Sequence, residues 1–557
     1  MSAEQIEDTA ALRKARGAFF TPEEIARFIS EWAVRSVSDK VLEPSCGEAA
    51  FLLAAAERLD RLTAETGQEF SGHLDGVELH AASAVSAESH VRMAGYETTI
   101  QTGDFFTVEP TSTYDAVIGN PPYVRYQDFS GESRRLSRAA ALRAGVSLTA
   151  LASSWASFTL HSAMFLRKGG RLGLVLPAEL LSVNYAAGVR QFLMERFTRV
   201  DLVLFEERVF PGVLEEVVLL MADGFDDGGT DHCFVYQARS AADLEELLVA
   251  RRWTPVNSAD KWTPSLLPHA AFDAYTTLVS GDGFTDLEEW GDTTLGMVTG
   301  NNHYFALTDA RVAELGIPRA ELLPLSPPGS THLRGLTFTT SAHEEMLRGG
   351  SAGWLFRPSN GEPSEAALAY IAAGDATGVS EAYKCRVRKP WWRVPLVPPA
   401  DLLLTYMNAD TPRLTTNRAG VHNLNSVHGI YLKTQHKTLG RDLLPLASLN
   451  SVTLLGAETV GRAYGGGMLK IEPREADRLP VPSAPTVMAA KKALSRLRPK
   501  VTRHLRSGRL LEATHLVDEV LLVGELGVRV TELREIREAR AELTARRTAR
   551  GIKQGGL

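Results

Sequence analysis

Asn120-Pro121-Pro122-Tyr123 follows directly on the apolar run Tyr114 to Ile118, and these four residues carry the most specific chemistry in the chain. Two successive prolines fix the backbone and remove two N–H donors, leaving outward carbonyls as acceptors, and Asn120 adds a side-chain carbonyl beside them. Such an acceptor pair fits an NH2 group, and Tyr123 adds a flat face on which an aromatic ring can stack. An exocyclic amine on adenine is a poor nucleophile because its lone pair is delocalised into the ring. Acceptors that hold its hydrogens in a more pyramidal arrangement localise that pair, so fixed dipoles favour attack and no strong base is needed. The same residues also read as a proline-rich turn ending a strand, with Tyr123 in the core.

Three acids stand upstream, each at the end of a short strand-like run. Glu43 ends the first, inside Val41-Leu42-Glu43-Pro44-Ser45-Cys46-Gly47-Glu48-Ala49-Ala50-Phe51-Leu52, a strand feeding a small-residue turn and then a helix. The turn at Gly47 lets a ligand approach the backbone, and Glu43 is placed to take a ligand ammonium group. Ala49 stands where such turns usually have their next glycine, and its methyl group fits if the local φ is negative. Glu78 ends Gly76-Val77-Glu78, where a carboxylate commonly accepts from paired ribose hydroxyls. Asp104, in Gly103-Asp104-Phe105-Phe106, can accept from an adenine amine with Phe105 against the ring. One acid alone reads as a helix cap; three in succession, followed by the proline pair, do not.

The elements that must position these residues are short apolar runs alternating with amphipathic stretches between residues 39 and 221. That rhythm predicts an α/β fold with a doubly wound, mostly parallel sheet covered by helices. Strands are expected at Lys40 to Glu43, Leu74 to Leu79, Thr98 to Thr102, Tyr114 to Gly119, Arg171 to Leu176, Arg199 to Phe205 and Val217 to Met221. Helices are expected at Ala49 to Arg61, Ser153 to Arg167, stopped by Lys168-Gly169-Gly170, and Ala186 to Arg196. The polar run 222–232 predicts a hairpin loop leading into a strand from Cys233 to Tyr236.

As a set, residues 17 to about 260 resemble a gamma-class N6-adenine DNA methyltransferase of a restriction-modification system. The resemblance rests on Gly17-Ala18-Phe19-Phe20-Thr21-Pro22, the turn after Leu42, Glu78, Asp104 and the Asn120 to Tyr123 motif, in that order. It implies a Rossmann-like class I methyltransferase sheet that binds S-adenosyl-L-methionine. Thr21, Pro22, Glu43, Pro44 and Gly47 would hold its methionine end, Glu78 the ribose, and Asp104 and Phe105 the adenine. Asn120 would border both ligands, and with Pro121, Pro122 and Tyr123 it would hold the target base. The family's later aromatic before a proline is matched by Phe210 in Arg208-Val209-Phe210-Pro211, where a core phenylalanine is an equal reading. No metal is implied.

Methylating N6 inside duplex DNA requires the base to be extruded, at a cost that stacking and a second DNA-gripping domain must offset. The expected organisation is therefore a catalytic domain over 1–262, a mixed α+β target-recognition domain over 286–482 and a helical C-terminal segment over 483–557. The middle region is rich in Gly, Pro, Asn and Trp and predicts short strands with few helices. Its run from Tyr383 to Arg393 sets Lys384, Arg386, Arg388, Lys389 and Arg393 around Trp391 and Trp392, which suits phosphate contact or an edge strand with core tryptophans. The segments Gly300 to His303, Asn417 to Asn425 and Gly461 to Gly467 offer amides, arginines and bare backbone of the kind that reads base edges. His303, His422 and His428 read as exposed turn residues. From Lys491 on, cations outnumber acids roughly two to one by direct count, which fits a DNA-facing cap or a solvated helix surface.

The 557 residues carry a formal charge of −7, which disfavours bulk electrostatic coating of nucleic acid and leaves room for a local basic cleft. Three scattered cysteines and no long apolar run point to a reducing, cytoplasmic setting without a membrane span. No E-x-K triplet occurs, so a fused metal-dependent nuclease is not expected, and a separately encoded cognate restriction endonuclease is the expected partner beside double-stranded DNA. Two other readings stay open at this level. One is a methyltransferase acting on protein glutamine or RNA, since the same acceptors serve any planar amide or amine. The other is a catalytically silent DNA-recognition subunit.

Overall fold

The computed structural model of the chain describes residues 21–125, 131–205, 207, 209–210, 216–247, 250–255, 257–358 and 362–549. They form two compact units, divided between Ser265 and Leu266.

In the first unit, helix α1 (Glu23–Ala33) precedes strand β1 (Lys40–Glu43), helix α2 (Ala50–Thr66), β2 (His73–Glu78), α3 (Ala81–Met93), β3 (Thr98–Thr102) and β4 (Tyr114–Gly119). After α4 (Gly131–Arg143) and α5 (Ser154–Ala163) come β5 (Leu166–Pro177), α6 (Ala187–Arg196), β6 (Phe197–Phe205), β7 (Val217–Phe225), β8 (Cys233–Ala238) and β9 (Arg251–Trp253). Among the described residues the strands make one sheet in the order β3-β2-β1-β4-β5-β7-β6-β8-β9, parallel from β3 through β5. This is a doubly wound α/β arrangement.

The sequence dictates this locally. Ala116, Val117 and Ile118 are fully buried, as expected for a strand covered on both faces. In α1, Ile25, Ala26, Ile29, Ser30 and Ala33 share one buried stripe at helical spacing. That stripe approaches β5 so closely that a Cβ at Gly173 would lie 2.6 Å from the Ile29 side chain, which is why glycine stands there. Because β1 is flanked by β2 on one side and β4 on the other, the chain reverses its winding there. The carboxyl ends beside that reversal open the crevice in which ligands bind in open α/β sheets.

Three expectations need correction. Lys168-Gly169-Gly170 does not stop a helix: α5 ends at Ala163, and the triplet lies inside β5 where the register to β4 jumps from Tyr114–Leu166 to Ala116–Arg171. The glycines absorb a bulge rather than a cap. The run 222–232 does not join a hairpin, because β7 uses both edges between β5 and β6, and β8 pairs in parallel with the far edge of β6. Third, the second unit is not poor in helices. Its five-stranded sheet, ordered Gly291–Leu295, Val427–Leu432, Leu402–Thr405, Leu414–Asn417, Thr337–Phe338, is accompanied by helices at Glu365–Ala376, Lys437–Ala447 and Ser451–Val460.

The helices Lys491–Arg506 and Leu510–Asp518 share a hydrophobic core with Trp290, Leu402 and Ile430 of that sheet. The C-terminal segment and the middle region are thus built around common cores. Among the described residues no single helix is long and apolar enough to cross a membrane.

Candidate active site

The ends of β1, β2, β3 and β4 are tied together by hydrogen bonds. At the β1 turn Gly47 adopts φ 53°, and its N–H donates to Glu78 Oε2 at 2.9 Å, while Glu78 Oε1 accepts from the His80 N–H at 2.9 Å. Each carboxylate oxygen keeps further lone-pair capacity, so Glu78 is fixed and can still accept from a diol. A Cβ on Gly47 or Gly103 would meet nothing within 4 Å, so both turns border open space.

Ala49 departs from its condition, since its φ is 70° and its ψ 37°, in the left-handed region. A non-glycine residue there costs about 1 kcal/mol, held in place because Ala49 is fully buried at the start of α2. Glu43 also differs from expectation. Its side chain is 2% exposed, and Oε2 accepts from the Leu52 N–H at 3.1 Å, so it anchors the N-terminus of α2. Burial holds its pKa well above the usual carboxylate range, opposed by the backbone donors of Leu52 and Phe51. Pro44 is buried beside it.

After β3, Asp104 Oδ1 accepts from the Phe106 N–H at 3.0 Å. The Phe105 ring does not face the crevice. It is 3% exposed, stacked on Phe158 at 5.3 Å and on Phe165 at 5.1 Å, with the His161 ring edge-on at 4.6 Å. What this loop can present is the Asp104 carboxylate and the adjacent Phe105 N–H, one acceptor and one donor, the complement of an adenine amine edge.

After β4, Asn120 is engaged at both ends of its amide. Nδ2 donates to Thr21 Oγ1 at 3.1 Å, and Oδ1 accepts from the Tyr123 hydroxyl at 2.9 Å, which also lies 3.0 Å from the Val175 carbonyl of β5. Of the proline carbonyls, that of Pro122 accepts from Ser154 Oγ and is not an outward acceptor. Among the described residues no donor reaches the Pro121 carbonyl. Pro22 opens α1, its carbonyl accepting from Ile25 and Ala26. Phe210 is 5% exposed within the apolar cluster on which Tyr123 packs. Gly17 to Phe20, Arg208 and Pro211 lie outside the described residues.

Two residues of α5 escaped the sequence reading. Ser154 bonds to Pro122 and Val124, and His161 Nε2 lies 3.1 Å from the carbonyls of both Phe105 and Val108. A serine pair opening an apolar helix was the visible signal, with His161 seven residues on. Burial, reinforced by Arg143, holds His161 down at about 4, so it is a neutral donor. Above pH 6.5 it is neutral folded and unfolded; as pH falls from there towards 4 only the unfolded chain gains the proton, and stability is lost. The stability advantage of wild type over His161→Gln is therefore expected to shrink by about 3 kcal/mol across that window in urea titrations. An advantage independent of pH would show that the imidazole titrates normally.

In the second unit several sequence candidates serve the fold. Asn417 Nδ2 donates to the Ala400 and Val421 carbonyls, Asn423 to that of Val427, and His428, fully buried rather than exposed, bonds to the Ile471 carbonyl. Arg388 grips the Thr299 carbonyl at 2.6 Å together with that of Val298, bringing the Tyr383 to Arg393 and Gly300 to His303 segments together. Trp391 lies half-buried against Tyr304, with ring centroids 5.6 Å apart. Lys384, Arg386 and Lys389 remain exposed around Tyr383, which is 66% exposed.

Comparison with known proteins bears on both units. The family described as N-6 DNA Methylase matches residues 6–254, and that described as Type II methyltransferase M.Eco57I, C-terminal domain, matches residues 259–522. Type II methyltransferase M.XamI of Xanthomonas campestris pv. amaranthicola is 25% identical over 84% of this chain and 85% of its own length. Type II methyltransferase M.AccI of Acinetobacter calcoaceticus is 23% identical over the same shares. The solved structure of the Type IIL restriction-modification enzyme MmeI in complex with DNA aligns with 94% of this chain and 75% of that one, at 12% identity and a TM-score of 0.52, a likeness of fold. With the Asn120 to Tyr123 motif and the acids at successive strand ends already in place, these matches make the chain a gamma-class N6-adenine DNA methyltransferase of a restriction-modification system.

Proposed function

We propose that the first unit binds S-adenosyl-L-methionine along the ends of β1, β2 and β3 and methylates N6 of an adenine extruded from duplex DNA and held by Asn120 and Pro121. The observation that carries this reading is the hydrogen bond from Asn120 to Thr21, which joins the cofactor segment to the target-base motif. The residues fit the cofactor: open space over Gly47 and Gly103, an anchored Glu78 with spare acceptor capacity, and the paired Asp104 acceptor and Phe105 donor. When bound, S-adenosyl-L-methionine supplies a methyl group made electrophilic by its sulfonium. Asn120 Oδ1 and the Pro121 carbonyl accept the two N6 hydrogens and stabilise the positive charge that develops on nitrogen. Tyr123 stacks on the base, and the surplus proton leaves to water. No enzyme nucleophile and no metal enter this scheme.

The second unit, on this reading, grips the DNA, with Lys384, Arg386 and Lys389 meeting phosphates. Replacing all three with Gln is expected to flatten the dependence of log affinity on log salt by up to about 2.7, roughly 0.9 per lost phosphate contact. Anisotropy titrations with a duplex at several salt concentrations read this slope, and an unchanged slope would place the phosphates elsewhere. The modification would protect cytoplasmic host DNA from a separately encoded endonuclease. The test of the whole reading is sequencing of DNA from a methylation-free host expressing the chain. N6-methyladenine confined to one short motif is the expected result; its absence, with soluble protein that binds the cofactor, overturns the substrate assignment.

A further inference from the structure

Helix α5 is wholly buried from Ser154 to Ala163, yet it carries polar side chains where apolar ones would cost less. Two of them, Ser154 and His161, are seven residues apart, two helical turns, and so share a face. Each reaches a different ligand loop. Ser154 makes three bonds around Tyr123: its N–H donates to the Val124 carbonyl at 3.0 Å, its Oγ accepts from the Val124 N–H at 2.9 Å, and the same hydroxyl donates to the Pro122 carbonyl. His161 shares its Nε2–H between the Phe105 and Val108 carbonyls, at 3.1 Å each, and so brackets the short turn Phe105–Thr107 after Asp104. Among the described residues its buried Nδ1 has no partner, which fits a single neutral tautomer with the proton on Nε2. Phe158, between the two, stacks on Phe105 at 5.3 Å and meets Phe106 edge-on at 4.7 Å.

We infer that α5 is a strut that sets two loops independently: Ser154 positions the target-base loop through Pro122 and Val124, and His161 positions the cofactor-adenine loop through Phe105 and Val108. Both are positioning residues, since neither touches a reacting atom. The inference rests on the ligand assignments proposed above, and it goes beyond them in dividing one helix between two steps of the reaction. A purely structural role would weaken both steps together. A strut with two separate grips weakens them one at a time.

The test uses the full chain with four variants, a 2-aminopurine duplex of the recognised sequence, and equilibrium binding of S-adenosyl-L-methionine. Ser154→Ala is expected to lower kcat and the 2-aminopurine signal about tenfold, the scale of a lost buried hydrogen bond, with cofactor affinity within about twofold of wild type. Ser154→Thr, which keeps the hydroxyl, is expected to retain both. His161→Leu is expected to weaken cofactor binding about tenfold while base opening at saturating cofactor is retained. His161→Gln places an amide N–H near the position of Nε2 and is expected to restore cofactor affinity, which a merely space-filling role would not predict. Equal losses of cofactor affinity and base opening in each Ala or Leu variant overturn the inference, as does a Gln variant that behaves like Leu. A wild-type chain that binds the cofactor but opens no base overturns the target-loop assignment itself, a result distinct from any pattern among the variants.

Discussion

Asn120→Ala is expected to lower the single-turnover methylation rate by about a hundredfold or more, close to 3 kcal/mol of lost transition-state stabilisation. The argument is geometric. On the proposed reading Asn120 Oδ1 and the Pro121 carbonyl take the amine: the Pro122 and Asn120 carbonyls are tied to Ser154 and Ser45, while Oδ1 accepts from the Tyr123 hydroxyl and keeps a second lone pair. Removing Oδ1 leaves one acceptor for two N–H groups while positive charge grows on the nitrogen between them. Cofactor affinity is expected to fall by less than about tenfold, because the loss on that side is one hydrogen bond to Thr21. Rapid-quench assays with labelled methyl donor measure the first quantity, and equilibrium dialysis the second. A rate within tenfold of wild type would remove Asn120 from the mechanism.

The second large effect lies in the other unit. Arg547, on the helix Val530–Ala549, pairs with Glu458, and their side chains are 3% and 4% exposed. The pairing is bidentate, with Nε to Oε2 at 3.0 Å and Nη2 to Oε1 at 2.9 Å, and the guanidinium also reaches the Asp410 carbonyl at 3.0 Å and those of Ala409 and Gly467. Arg547→Leu leaves a buried carboxylate whose remaining hydrogen-bond partner among the described residues is Thr544 Oγ1, with the Arg540 guanidinium near enough to act on it electrostatically, together with several stranded carbonyls, and is expected to cost about 3 kcal/mol. Urea unfolding followed by tryptophan fluorescence reads it as a lower midpoint. Replacing Glu458 as well, with Leu, is expected to return much of the loss, because the charge is removed with its partner. A midpoint unchanged in the single variant would show that water reaches the pair.

What the sequence made legible was local and periodic. The strand at Tyr114–Gly119, the acids at the ends of β1 and β2 and just after β3, and the proline pair after β4 are written in neighbouring residues, so their placement follows from alternation of short apolar runs and turns. The helix Val530–Ala549 falls in the expected helical C-terminal segment, where Leu533, Ile536, Arg540 and Leu543 stand at helical spacing and the three apolar ones are buried. The failures share another cause, partners distant in sequence. Whether Glu43 meets a ligand or a helix depends on where α2 starts, and whether Asn417 reads a base or braces a loop depends on carbonyls at 400 and 421. Arginines that looked like an outward basic surface turn inward in part: Arg537 onto Asp518 and Arg547 onto Glu458. Composition counts charges and cannot say which way they face. His161 lacked a signal for the same reason, since its targets lie more than fifty residues upstream.

The bond between Tyr123 and Asn120 has a consequence for fidelity. On the reading proposed above, the phenol hydroxyl takes one of the two lone pairs of Oδ1, the acceptor that would meet the target amine, and lies 3.0 Å from the Val175 carbonyl as well. The second lone pair is left for an incoming N6 hydrogen, and the hydroxyl can turn its single proton to the Val175 carbonyl when the amine arrives. Thymine, which presents a carbonyl oxygen where adenine presents an amine, would set two acceptors face to face at Oδ1, so on this reading the choice between the two bases falls to the polarity of one atom.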